Sequence, residues 1–239
     1  CPNCERPIRA YENIPILGWV GLRGRCAGCA APISPQYPLV ELLIALVWLC
    51  SAIVFGPTLL TVRVAVFITL MIGIAITDAK HYVIPDGFTV FGLIWVIVTS
   101  LVAAFAHSES AFAVPYDAMM GALAGAGAIA IAGWLGEAAL KREAMGFGDV
   151  TLMAVVGAAL GPQRGLLTIF IGAALGVVVF LGIVLPVSRI RARSVSSDNS
   201  EEAAFPLVPF GVFLAPAAVL ALFYGDPLIH WYISRFMAS

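Results

Sequence analysis

The stretch VAVFITLMIGIAIT, residues 64–77, contains no charged side chain and is followed directly by Asp78. Together with the residues before it, it forms an apolar segment over 59–77, and a membrane span needs about 20 mostly apolar residues. Six other segments have a similar character, of which the fourth is short: 39–56, 87–106, 117–136, 149–161, 166–187 and 205–224. We therefore predict an all-α polytopic membrane protein with about seven transmembrane helices. Small residues between Gly121 and Gly136 predict a closely packed interior helix.

The composition indicates a chain that exposes much of its surface to lipid. Of its 239 residues, 61% are apolar and 11% are charged, with a mean hydropathy of +0.99. Soluble domains carry about 25% charged residues, so the composition excludes the soluble globular and disordered classes. The net charge of −1 provides no basic field for nucleic acid.

The distribution of Lys and Arg predicts the orientation of the helices. If the seven segments alternate across the membrane, one side receives residues 1–38 and the loops 78–86, 137–148 and 188–204. That side carries ten of the thirteen basic residues: Arg6, Arg9, Arg23, Arg25, Lys80, Lys141, Arg142, Arg189, Arg191 and Arg193. Cytoplasmic loops carry an excess of Lys and Arg. The amino-terminal segment is therefore predicted to be cytoplasmic, and the tail after residue 224 to lie outside.

Four of the five cysteines form two C-x-x-C pairs near the start of the chain. Cys1-Pro-Asn-Cys4 and Cys26-Ala-Gly-Cys29 are separated by 21 residues. Two such pairs suit the tetrahedral four-sulfur coordination of structural zinc. The predicted cytoplasmic location argues against disulfides. We predict a zinc-binding domain over 1–38, and the alternative is two reduced pairs that are redox-active or idle.

Two aspartates lie at predicted membrane boundaries on the same side. Asp78 follows an apolar segment, and Asp149 lies between Gly148 and the next one. Each has a structural interpretation, since Asp78 can reach water at a helix end and Asp149 can be a helix N-cap. Two carboxylates that share a proton can instead activate a water molecule. Asp86 is the rival to Asp78, and we interpret it as the N-cap of the segment that begins near Gly87.

With these motifs in place, the sequence resembles the type IV prepilin peptidases, a family of bacterial GxGD-type intramembrane aspartic proteases. The likeness runs through nearly the whole chain. It is carried by the following residues: Cys1-Pro-Asn-Cys4, Glu12-Asn13-Ile14-Pro15, Cys26 to Cys29, Tyr37-Pro38-Leu39-Val40-Glu41, Asp78, Pro85-Asp86, Gly146 to Asp149 and Pro209-Phe210-Gly211.

The resemblance implies an aspartic endopeptidase that removes the short basic leader of type IV prepilins or type II secretion pseudopilins, cutting after a glycine. Asp78 and Asp149 would be the catalytic pair, and Gly146 and Gly148 would form the active-site loop. Asp78 is favoured over Asp86, because the first aspartate of the family motif is the catalytic one.

The resemblance also implies N-methylation of the new amino terminus with S-adenosylmethionine. It predicts structural zinc on the cysteine tetrad (Cys1, Cys4, Cys26 and Cys29) and a protease domain over 39–239. The protein would lie in the bacterial inner membrane, with the tetrad and the aspartates on the cytoplasmic side. An eighth helix is expected before the cysteines in the natural protein.

Two other functions fit some of the same residues. Asp78 and Asp149 could relay protons or bind a cation in a membrane transporter. A protease-inactive scaffold for pilus assembly is the other alternative. The sequence contains no Rossmann-type glycine fingerprint, so it does not locate an S-adenosylmethionine site. It leaves the oligomeric state open.

Overall fold

The computed structural model describes residues 1–106, 112–141, 145–187 and 209–237. Within those ranges the regular structure is helical, and the only strand-like pairing is an isolated bridge between Arg25 and Pro32. The chain divides into two compact units, Cys1–Thr69 and Leu70–Ser239.

The first unit begins with the two cysteine pairs and a short helical region. A 3₁₀ turn at Ala10–Asn13 precedes α1 (Leu17–Gly21), and a long helix α2 spans Gln36–Phe55. The segment before α2 is held to that helix because the Ile16 N–H donates to Glu41 Oε2 at 2.7 Å. Polar contacts therefore contribute to the order of this small region.

The regular structure described for the second unit is helical. Helix α3 (Leu59–His81) enters it from the first unit, and the others are α4 (Asp86–Phe105), α5 (Pro115–Leu140), α6 (Phe147–Leu160), α7 (Pro162–Val179) and α8 (Gly211–Phe236). A π-helical segment, Phe180–Val184, continues α7. Each helix from α2 to α8 overlaps a predicted apolar segment, so the all-α membrane class is confirmed.

Among the seven helices α2 to α8, six differ in length from α6. Among the described residues, α2, α3, α4, α5, α7 and α8 are long and apolar enough to cross a membrane. Helix α6 has 14 residues, a length of about 21 Å against a hydrocarbon core of about 30 Å. The predicted segment 149–161 is therefore a helix shorter than a standard span.

The last predicted segment differs from the observed helix. We predicted a span over 205–224 with a tail outside the membrane, but α8 runs on to Phe236 and contains Pro216 and Pro227. The helix therefore continues for twelve residues beyond the predicted end of the span, and the location of those residues outside the membrane stays a prediction. Residues 205–208 and the predicted loop 188–204 lie outside the described ranges.

Helix α6 lies in the interior of the second unit and packs extensively against α5. Nearly all of its side chains from Leu152 to Leu160 are buried. A Cβ on either Gly121 or Gly157 would overlap the backbone carbonyl of the other, so these glycines allow the closest approach between the two helices. The opposite face of α5 exposes large side chains such as Trp134. The prediction of an interior α5 is therefore wrong for that face.

Candidate functional site

The four cysteines of the tetrad lie together in the first unit. Their Sγ atoms are all within 4.8 Å of one another. The Sγ atoms of Cys1 and Cys29 are 4.0 Å apart, as are those of Cys4 and Cys26. Tetrahedral zinc with Zn–S bonds of about 2.3 Å places its sulfurs about 3.8 Å apart. The donor set and its spacing therefore fit a zinc ion after a small contraction.

The backbone of the second cysteine loop prepares one of these sulfurs for metal binding. The Gly28 N–H donates to Cys26 Sγ at 3.4 Å. Hydrogen bonds from the backbone of Cys29 and Gly28 lower the pKa of the Cys26 thiol to about 7. The thiolate is the form that binds metal, so this loop favours the ligand state of Cys26.

Asp78 lies in the last turn of α3 and is buried, with 5% of its surface exposed. Its Oδ2 accepts a hydrogen bond of 3.1 Å from the Val212 N–H, in the first turn of α8. A Cβ on Gly211 would lie 2.7 Å from the same oxygen. The carboxyl group is thus held against the amino-terminal end of α8. Any side chain at position 211 would overlap it, so this arrangement requires glycine there.

Asp149 is the third residue of α6 and is also buried, with 9% exposed. The N-cap of the helix is Gly146, whose carbonyl oxygen accepts the Asp149 N–H at 3.1 Å. Gly148, the residue before Asp149, packs against Ile84, and Ile84 also packs against Gly211, which lies beside the Asp78 carboxyl group. The structure therefore brings together two carboxyl groups that are 71 positions apart in the sequence.

Ile84 connects the segments that carry the two aspartates. A Cβ on Gly148 would lie 3.0 Å from Ile84 Cβ, and a Cβ on Gly211 would lie 3.0 Å from Ile84 Cδ1. Ile84 is buried, whereas its neighbour Val83 is 59% exposed. Sequence reasoning missed Ile84 because one isoleucine in an apolar chain carries no distinguishing signal. Gly211 appeared in the sequence only as part of a family motif.

Asp86, the rival to Asp78, has a different environment. It is exposed and is the first residue of α4, and the N-cap is Pro85. The prediction that Asp86 caps this helix is therefore wrong by one position. A buried carboxyl group is better suited than an exposed one to exchanging a proton with a substrate in a water-poor site.

At this site two buried carboxyl groups lie beside glycines that are closely packed against neighbouring residues. Two interacting carboxyl groups can divide the roles of general base and general acid between them. A Cβ on Gly146 would have no heavy atom nearer than 4.0 Å, so the backbone at this residue is not tightly packed. This arrangement can admit a peptide backbone beside an acid–base pair.

Two family models match the chain in succession. The first, described as the bacterial peptidase A24 N-terminal domain, matches residues 1–55. The second, described as the type IV leader peptidase family, matches residues 65–181. The first match contains the cysteine tetrad, and the second contains Asp78 and Asp149.

Curated relatives are similar to the chain over nearly its full length. A prepilin leader peptidase/N-methyltransferase of Aeromonas hydrophila is 33% identical over 99% of this chain and 75% of its own length. A protein of the same name from Stutzerimonas stutzeri is 34% identical over 98% of this chain and 74% of its own length. A type 4 prepilin-like proteins leader peptide-processing enzyme of Escherichia coli is 40% identical over 68% of this chain and 58% of its own length. No solved structure matches the chain significantly.

Proposed function

The chain belongs to the type IV leader peptidase family, and from that membership we propose that it removes the leader peptide of type IV prepilins or type II secretion pseudopilins. It then methylates the new amino terminus. The protein is a multi-pass protein of the bacterial inner membrane. The names of its relatives support both activities.

The observation that carries the protease assignment is the pair of buried carboxyl groups. Ile84 packs against Gly211, which lies beside the Asp78 carboxyl group, and against Gly148, which precedes Asp149. In the proposed mechanism one carboxylate takes a proton from a water molecule as that water attacks the carbonyl carbon of the scissile bond. The other carboxyl group donates its proton as the C–N bond breaks, and the leaving amine departs neutral. One carboxylate gains a proton while the other carboxyl group loses one, so the reaction consumes only water and the peptide.

The substrate class agrees with the proposed orientation of the chain. The leader is basic and is followed by an apolar helix, which can lie in the bilayer among the small-residue helices. The excess of Lys and Arg on one side supports a cytoplasmic location for the cysteine tetrad and both aspartates. The scissile bond would then lie near the inner membrane interface, where the leader remains in the cytoplasm.

The protein would also bind two groups, zinc and S-adenosylmethionine. Zinc on the tetrad is structural and holds the cysteine loops, which have little apolar core of their own. S-adenosylmethionine supplies a methyl group on a positively charged sulfur. The protein binds this donor and orients it toward the amino terminus that cleavage exposes.

Incubation of the purified chain with a prepilin in lipid nanodiscs tests both activities at once. Mass spectrometry should find the released leader and, when S-adenosylmethionine is added, a mature chain heavier by one methyl group. A matched prepilin, with the glycine before the cleavage site replaced, should remain intact. Absence of leader cleavage by the zinc-loaded protein, together with proton flux in proteoliposomes, would instead favour the transporter.

A further inference from the structure

A cavity of about 550 Å³ lies in the first unit, away from the residues of the aspartate site in sequence. Sites for small molecules commonly have volumes of about 300–1,000 Å³. The cavity is lined by the cysteine loops, the residues around α1 and the start of α2. Its polar and aromatic lining includes Glu12, Asn13, Trp19, Tyr37 and Glu41. A cavity of this size and mixed chemistry suits a ligand with both polar and aromatic parts.

The two carboxylates of this cavity differ in how their charge is balanced. Glu12 Oε1 accepts a hydrogen bond from Arg6 at 2.7 Å, which neutralises that carboxylate. Glu41 Oε2 accepts the Ile16 N–H at 2.7 Å, and this donor carries no charge. Glu41 forms no ion pair with any residue that the structure describes. Among the lining side chains, Glu41 therefore carries a negative charge without an ion-pair partner, which favours a cationic ligand.

Aromatic rings accompany this charge. Tyr37 and Glu41 are four positions apart on α2 and therefore share a face of the helix. Trp19 is fixed because its Nε1–H donates to the Ile33 carbonyl at 3.0 Å. Gly24, with φ of +69°, packs against the same ring. Aromatic faces attract cations and stack on nucleobases, so the lining suits a cation that carries a base.

We propose that this cavity binds S-adenosylmethionine, with Glu41 facing the positive sulfur and Trp19 facing the adenine base. The inference rests on the proposed methylation and assigns it a site. In the transfer, the neutral terminal amine supplies the electron pair of the new N–C bond. The S–C bond breaks with its electron pair left on sulfur, and the methylated nitrogen then releases one proton to solvent.

Zinc on the tetrad should support methylation by fixing part of this cavity. Cys1 and Cys26 line the cavity as well as belonging to the tetrad. A metal that fixes these two residues also fixes one wall of the donor site. Loss of zinc should therefore weaken binding of the donor without removing any group that contacts the scissile peptide bond.

Calorimetric titration of the full zinc-loaded chain in detergent tests this assignment. The probes are S-adenosylmethionine, whose sulfur is positive, and S-adenosylhomocysteine, whose sulfur is neutral. Glu41→Gln keeps an oxygen for the Ile16 N–H but removes the charge, so the affinity for S-adenosylmethionine should fall about tenfold. The affinity for S-adenosylhomocysteine should change little. The matched control is Glu5→Gln, because Glu5 is exposed and does not line the cavity.

A second variant tests the cavity independently of charge. Ala31 lines the cavity, and Ala31→Phe should fill part of it and weaken both probes, while zinc content and leader cleavage are kept. Unchanged affinities in both variants would overturn the site assignment, as would equal losses of both probes in Glu41→Gln. If methylation of a prepilin persists under those conditions, the proposed function stands and only the cavity is wrong. A wild-type chain that binds the donor in this cavity but never processes a prepilin would instead contradict the proposed function.

Discussion

The cysteine tetrad and the aspartate pair are both assembled from residues far apart in the chain, but they are held by different forces. The tetrad lies in short loops with exposed or half-buried side chains. Asp78 and Asp149 are buried among packed helices, beside glycines with little room for a side chain. A metal can therefore organise the first site, whereas only helix packing can organise the second.

This difference implies that the two sites fail independently. Removal of a sulfur ligand should loosen loops and leave helix packing unchanged. An added methyl group beside Asp78 should displace a carboxyl group and leave the sulfurs in place. We expect the effect on leader cleavage to decrease from changes at the aspartates, through Gly211, to changes at the cysteine tetrad.

The largest effect is expected from the aspartates. Asp78→Asn and Asp149→Asn should each lower cleavage by about 10³-fold or more, because an amide cannot exchange the required proton. Mass spectrometry of a prepilin incubated with each purified variant measures the loss. Asp86→Asn is the matched control and should retain most of the activity, since Asp86 is exposed. Normal cleavage by either buried-aspartate variant would refute the proposed pair.

A smaller effect is expected from Gly211→Ala. The new Cβ would lie 2.7 Å from Asp78 Oδ2, so the carboxyl group or the start of α8 must move. A displacement of this kind should lower kcat for cleavage by about 10- to 100-fold. Zinc content should stay unchanged.

Gly127→Ala provides the control for that change, because a Cβ on Gly127 in α5 meets no atom within 4 Å. It should cleave at the wild-type rate. Equal activity of the two alanine variants would show that Gly211 does not position Asp78.

Loss of a zinc ligand should affect cleavage less than either change above. Cys4→Ser and Cys26→Ser should reduce bound zinc from about one ion per chain to near zero, as elemental analysis can measure. Methylation should fall more than leader cleavage, because the aspartates belong to a separate unit. Cys50→Ser is the control, since Cys50 lies on α2 outside the tetrad. Retention of zinc after loss of either ligand would count against the site.

Protonation of the cysteine tetrad should affect leader cleavage least, and its main effect should be on zinc affinity. The pKa of the Cys26 thiol is lowered to about 7, so this residue is mainly a thiolate above that pH and mainly a thiol below it. Protons compete with metal for the thiolate, and zinc affinity should therefore decrease as the pH falls through about 7. Competition with a chromogenic chelator measures this affinity. A constant zinc affinity from about pH 8 to 6 would contradict the expectation.

Local patterns predicted most of the helices and the tetrad. Apolar segments of sufficient length form helices because lipid offers no partner for backbone N–H and C=O groups. The C-x-x-C spacing predicts clustered sulfurs because each pair lies within one short loop. The family resemblance drawn from the motifs is confirmed, and the burial of Asp78 but not Asp86 agrees with the choice made from the family motif.

The amino-acid pattern was sufficient for the membrane class, the approximate helix bounds and the cysteine cluster, because each depends on neighbours within one segment. Folding in three dimensions alone placed Val212 and Gly211 against Asp78, and Ile84 between Gly148 and Gly211. It also made α6 short and buried and extended α8 to Phe236. These features depend on which helix faces meet. In a chain that is 61% apolar, hydrophobic periodicity cannot distinguish a face that contacts protein from a face that contacts lipid.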